Sequence, residues 1–187
     1  MRTVPWSESD ASSASFLAIV PPIGHVEAIE SVQRTCCIQT DVSPHITVKA
    51  QPGLQRPELW REPLAVALRM VRPFELELGP VGWFGREILY LSVVGETVVD
   101  LHWRILDCLE QAGVDERFEY DGDEFVPHLT VGAPWVTADD RRLDGLQAAI
   151  ELLELPPFTV AEIIEFHRSG AAERYRPLGA FQLSGTT

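Results

Sequence analysis

Pro44-His45-Ile46-Thr47-Val48 and Pro127-His128-Leu129-Thr130-Val131 are one string written twice: proline, histidine, an aliphatic residue, threonine, valine. Threonine follows histidine by two residues in each. On a β-strand, residues two apart share a face. Each string therefore sets an imidazole beside a hydroxyl, while Ile46 and Val48, or Leu129 and Val131, turn to the opposite face and into a core. The motifs lie 83 positions apart, from 45 to 128, close to half of the 187 residues. That spacing points to an internal duplication, with two intimate lobes facing each other across a cleft.

Two histidines and two hydroxyls suit acid–base chemistry on a phosphate. Hydrolysis of a cyclic phosphodiester needs a base for the attacking water and an acid for the leaving ribose oxygen. Histidine is the side chain whose ordinary pKa lies near neutrality and can do both. Hydroxyl donors beside each ring can bind the non-bridging oxygens.

Composition narrows the partner. With 15 Lys and Arg against 28 Asp and Glu, the net charge is −13. Extended nucleic acid is held largely by Lys and Arg neutralising phosphates, so no extended nucleic-acid surface is expected. A nucleotide or an RNA-end cyclic phosphate fits better. Cys36, Cys37 and Cys108 form no zinc-like pair. No leader is expected, and no apolar run reaches the roughly 18–20 residues of a membrane span. These features predict a cytoplasmic protein with reduced thiols, no cofactor, no metal, no membrane contact and a monomeric state. Residues 1–14 read as a flexible N-terminal segment, Ser/Ala-rich between Ser7 and Ser15.

The remaining pattern is that of an α+β chain. Phe16–Val20 reads as a buried strand, with Pro22 in the first turn of a helix carrying Val26, Ile29 and Gln33 inward. Pro63 is expected to start another helix, with Leu64, Ala67, Leu68 and Val71 at helical spacing. Strands are expected at Phe74–Leu78 and Glu87–Val94, joined by a turn at Gly79, Pro80 and Gly82. Thr97 opens a helix whose inner stripe is Leu101, Ile105, Cys108 and Ala112. Thr137 caps one over Asp139–Ile150. Phe158–Phe166 and Gly179–Leu183 read as closing strands.

The paired His-x-Thr-x strings resemble the signature of the 2H phosphoesterase superfamily, which includes 2′-5′ RNA ligase-like proteins and RNA 2′,3′-cyclic phosphodiesterases. Phe16–Pro21 is similar to that family's opening strand. Phe74–Leu78, Trp83-Phe84 and Leu89–Leu91 are similar to its middle strands. Phe158–Phe166 and Phe181–Leu183 are similar to its last two. The resemblance implies one domain over 1–187 made of two pseudo-symmetric lobes, each an antiparallel-rich sheet with helices on its outer face, around a central cleft. It implies metal-free opening of cyclic phosphates by His45 and His128, with Thr47 and Thr130 holding the phosphate, and it leans towards His128 as the base. A non-catalytic nucleotide or RNA-terminus binding module and a 2′-5′ RNA ligase activity are the alternatives.

Four more residues are candidate substrate contacts. Lys49 shares the strand face of His45 and Thr47 if the alternation continues. Arg86 adjoins Phe84, Trp135 follows the second motif, and Tyr175 lies among Arg168, Arg174 and Arg176, where a phosphate lip competes with a solvated loop. His102 is expected on a helix as a surface or half-buried residue. Asp121, Asp123 and Glu124 are expected in a solvated loop.

Overall fold

The computed structural model describes residues 13–38, 40, 42–133, 140–170 and 172–186, without the side chains of 140–142. Eight strands run in chain order: β1 (Ala14–Ile19), β2 (Ile46–Lys49), β3 (Phe74–Phe84), β4 (Ile88–Val94), β5 (His128–Gly132), β6 (Phe158–Val160), β7 (Glu162–Arg168) and β8 (Arg176–Gln182). The helices are α1 (Ile23–Thr35), α2 (Pro57–Arg69), α3 (Thr97–Gln111) and α4 (Asp140–Ile150).

The strands form one antiparallel sheet in the order β6-β3-β4-β5-β2-β1-β7-β8. The α+β class is as expected, and the order is symmetrical about its middle. Outward from the centre, β5-β4-β3-β6 on one side repeats β2-β1-β7-β8 on the other. The two motif strands are the innermost pair.

The four α-helices of the described residues pack on one face. Ile29 of α1, Trp60, Leu64 and Leu68 of α2, Leu101 and Ile105 of α3, and Leu143 and Leu146 of α4 share a core with Ile46, Val48, Leu129 and Val131 of the motif strands. Burying a large aliphatic side chain contributes about 1.5–3 kcal/mol, so the outer halves of both motifs are fixed by apolar packing. No helix among the described residues covers the histidine face. No helix among the described residues is long and apolar enough to cross a membrane.

Several boundaries differ from expectation. β1 begins at Ala14, inside the segment read as flexible, because Ala14 pairs with Arg168 and the Ser15 hydroxyl donates to Glu165 at 3.2 Å. α2 begins at Pro57, so Pro63 lies within the helix. Pro57 occupies the first turn, where a missing N–H costs least. β3 runs straight through Gly79 and Pro80 with an irregularity between Leu78 and Val81. Gly and Pro mark a bulge there, and the hairpin turns instead at Gly85–Glu87. Phe158–Phe166 is two strands, since β6 pairs with β3 and β7 with β1 on opposite halves of the sheet. The Thr137 cap lies outside the described residues.

Candidate functional site

Ile46 pairs with Leu129 across the β2–β5 seam. In an antiparallel register this sets His45 opposite Thr130 and Thr47 opposite His128, all four on the helix-free face. Directly opposed residues have Cβ atoms roughly 4.5–5.5 Å apart. Two histidines and two threonines thus occupy alternate corners of one small quadrilateral, and all are half-buried.

Each imidazole is oriented in the same way. His45 Nδ1 lies 2.8 Å from the Ser43 carbonyl oxygen, and His128 Nδ1 lies 2.7 Å from that of Val126. A carbonyl can only accept, so both Nδ1 atoms carry hydrogen. That fixes the neutral tautomer and leaves Nε2 as the working nitrogen of each ring. Among the described residues neither Nε2 nor either threonine hydroxyl has a hydrogen-bond partner.

Aromatic rings wall both histidines. His45 lies 4.9 Å from Phe16 and 5.7 Å from Phe166, which stack on each other. His128 meets Phe84 edge-on at 4.8 Å and Tyr90 at 5.5 Å, and those two rings also stack. Tyr90 can lie there because residue 82 is glycine: a Cβ would come within 2.6 Å of the Tyr90 ring. Burial among these rings lowers the pKa of both histidines from 6.5, and the charge of His128 lowers His45 further. Both rings are therefore neutral at neutral pH in the free protein. The Phe-x-Arg strings Phe84-Gly85-Arg86 and Phe166-His167-Arg168 are the sequence signal that marks these walls.

Lys49 is not brought to this face. Between Leu17 and Ala18 of β1 the register with β2 shifts, Ala18 pairing with Thr47 but Leu17 with Lys49. The bulge breaks the period of two. Lys49 turns inward, 1% exposed, and its ammonium donates to the Ala50 and Pro52 carbonyls and to Asp121 Oδ2 at 2.7 Å. Burial pushes the Lys49 pKa down, and the hydrogen bond to Asp121 opposes it. The same shift recurs in the other half, where Tyr90 pairs with Thr130 but Leu89 with Gly132. Gly132 also faces inward, against Leu143 and Leu146.

Asp121 and His102 belong to this buried cluster, against the expectation of a solvated loop and a surface or half-buried histidine. His102 is fully buried; its Nδ1–H donates to Val48 O and its Nε2 accepts from Gly122 N–H. Both nitrogens are engaged in the neutral form, and burial lowers the pKa. The cluster fastens the loop before the second motif to the end of the first motif strand.

The other candidates separate. Tyr175 is at the site: its ring meets Phe16 edge-on at 4.9 Å and its hydroxyl accepts a hydrogen bond from the Gln51 amide. Arg86 is exposed at the tip of the β3–β4 hairpin. Trp135 lies outside the described residues. No group of three or more His, Cys, Asp or Glu among the described residues could hold a metal, and Cys36, Cys37 and Cys108 form no disulfide there.

A family model described as the 2′-5′ RNA ligase superfamily matches residues 21–171, most of the chain and both motifs. The chain belongs to the 2′-5′ RNA ligase superfamily. Three of the solved structures that resemble its fold illustrate the likeness. TT0787 of Thermus thermophilus is 16% identical, with a TM-score of 0.66, covering 93% of this chain and 100% of that one. E. coli LigT complexed with 3′-AMP is 18% identical, with a TM-score of 0.59 and coverage of 94% and 99%. A protein described as a phosphoesterase is 20% identical, with a TM-score of 0.60 and coverage of 94% and 99%. No curated protein matches the sequence. Within the superfamily, this chain has the antiparallel sheet whose central pair carries the two motifs.

Proposed function

We propose that the protein is a metal-independent cyclic phosphodiesterase that opens 2′,3′-cyclic phosphates of nucleotides or RNA ends. The observation that carries this reading is the pair of imidazoles on adjacent strands, each with Nδ1 held by a carbonyl and Nε2 free towards the same face.

In the reaction, one Nε2 takes the proton of a water whose oxygen attacks phosphorus. The other ring, protonated, gives its Nε2 proton to the ribose oxygen as the P–O bond breaks. The product is a phosphate monoester at the 2′ or 3′ position, and proton exchange with solvent restores both rings. An anion in the pocket favours the charged form of one histidine, which offsets the effect of burial. The Thr47 and Thr130 hydroxyls donate to the non-bridging oxygens. Base and acid exchange with the direction in which the substrate enters.

E. coli LigT, similar in fold, has been solved with 3′-AMP and with phosphate, ligands of the kind this reading requires. The acidic balance favours a nucleotide or RNA terminus over long RNA, and a cytoplasmic location agrees with three cysteines that form no disulfide among the described residues. The test is incubation of a nucleoside 2′,3′-cyclic phosphate with wild type, His45→Ala and His128→Ala. Each substitution is expected to remove most turnover, with EDTA having no effect. Unchanged turnover in both variants would refute the assignment.

A further inference from the structure

Beyond His45 the helix-free face continues onto the β7–β8 hairpin. Phe166 rests near His45 at 5.7 Å, and Arg168 is two residues further along β7, on the same side of the strand. The Arg168 guanidinium lies over the Tyr175 ring, 4.8 Å from its centroid. Tyr175 touches Phe16, and Phe16 touches His45, each at 4.9 Å. These successive contacts put the guanidinium within about 15 Å of the His45 ring.

Among the described residues no carboxylate lies in ion-pair range of Arg168, whereas the buried Lys49 is paired with Asp121. The Arg168 Nε–H is shielded from solvent and finds no acceptor among the described residues. Buried donors are nearly always satisfied, by protein, by water or by a ligand. A planar guanidinium laid on an aromatic ring has its donor edge set for two oxygens of a phosphate. Three of the chain's 15 basic residues, Arg168, Arg174 and Arg176, fall within this one segment. With His167 and one carboxylate, Glu173, they line a cleft along the hairpin. Arg86, at the matching place two residues past Phe84, sits exposed on a hairpin tip, so the arrangement is one-sided.

We propose that Arg168, stacked on Tyr175, forms a second anion subsite that takes a phosphate on the 5′ side of the nucleoside whose cyclic phosphate lies between His45 and His128. This rests on the reading of the histidine pair as a phosphate site. It makes the preferred substrate a cyclic phosphate with a further phosphate or phosphodiester beyond its ribose, and it fixes the direction in which that substrate lies.

The test is calorimetric binding of adenosine 3′-monophosphate and adenosine 3′,5′-bisphosphate, with turnover of a 2′,3′-cyclic phosphate measured in parallel. Wild type is expected to bind the bisphosphate about tenfold more tightly or better, the effect of one charge-assisted contact. Arg168→Gln is expected to bring the ratio near one, and Arg168→Lys to keep part of it. Arg34→Gln, on the exposed face of α1, is expected to keep it all. Equal binding of the two ligands by wild type, binding of neither, or a ratio untouched by Arg168→Gln overturns the proposal. If the ratio and its dependence on Arg168 hold while no cyclic phosphate is opened, the enzymatic reading fails and the subsite stands.

Discussion

His45 is walled by two phenylalanines from different strands, β1 and β7. His128 is walled by a phenylalanine and a tyrosine from the single β3–β4 hairpin. Phe166 and Phe84 correspond by register: Phe166 pairs with Phe16 as Phe84 pairs with Ile88. The second ring does not correspond. Tyr90 stands where the first half has Ala18, opposite the motif threonine in each case. The orientation of the imidazoles is thus duplicated closely, and their surroundings only in part. Features that the chemistry needs twice occur twice: the Nδ1 bond to a carbonyl two residues back, the threonine across the seam, and the bulge after it. Tyr175 and its Gln51 contact, which the proposed reading places at one end of a ligand, occur once.

The sharpest way to break this comparison is to remove one imidazole. His45→Ala and His128→Ala are each expected to lower kcat by about 10²–10⁴-fold in steady-state turnover of a cyclic nucleotide, with circular dichroism showing an intact fold. A small loss in either would mean that the halves are not partners.

Next in size is the position after the threonine-valine pair, where the halves differ most. Lys49→Met leaves Asp121 buried without its cation and is expected to cost about 3–5 kcal/mol in denaturant unfolding. Gly132→Ala places a Cβ 2.7 Å from Leu143 and Leu146, and overpacking of that kind costs about 1–3 kcal/mol. Thr47→Val and Thr130→Val remove one donor each at nearly constant volume and are expected to lower kcat by about 10²-fold. A gap between those two losses would reveal which threonine carries more of the developing charge.

The smallest effect is in pH. Both histidines titrate below 6.5 in the free protein because burial disfavours their charged forms. The form with one ring protonated and one neutral is therefore most populated below pH 6.5, and kcat/KM is expected to peak there. Bound anion raises the acid's pKa, so the kcat optimum lies higher. The same shifts, with that of His102, mean that the unfolded chain binds more protons. Melting temperature is expected to fall as the solution is acidified through and below pH 6.5, and to level off above it.

Much of this was legible from residue order. The motif strands, their inward and outward faces and the duplication follow from a period of two and from prolines that tolerate strand starts. Lys49 was not legible, because a bulge shifts the alternation by one residue without changing any residue type. His102 was hidden too: its helix reads as amphipathic, yet nothing in the local pattern says that Val48 and Gly122 will supply partners for both nitrogens. Pro63 misled because a proline within a helix and one at its start look alike until Pro57 is given its place. The aromatic walls come from strands distant in sequence, and only the repeated Phe-x-Arg hints at them.

The strand order also has a consequence for biosynthesis. The half-sheet around His128 is built from one uninterrupted stretch, β3 to β6, whereas the half around His45 joins the beginning of the chain to its end. As the polypeptide leaves the ribosome, β1 appears before β2 to β6, while its sheet neighbour β7 appears only after them. A nascent chain stopped before Glu162 would already hold both Pro-His-x-Thr strings and still lack Phe166, Arg168 and Tyr175, so the pocket waits for residues made well after both motifs.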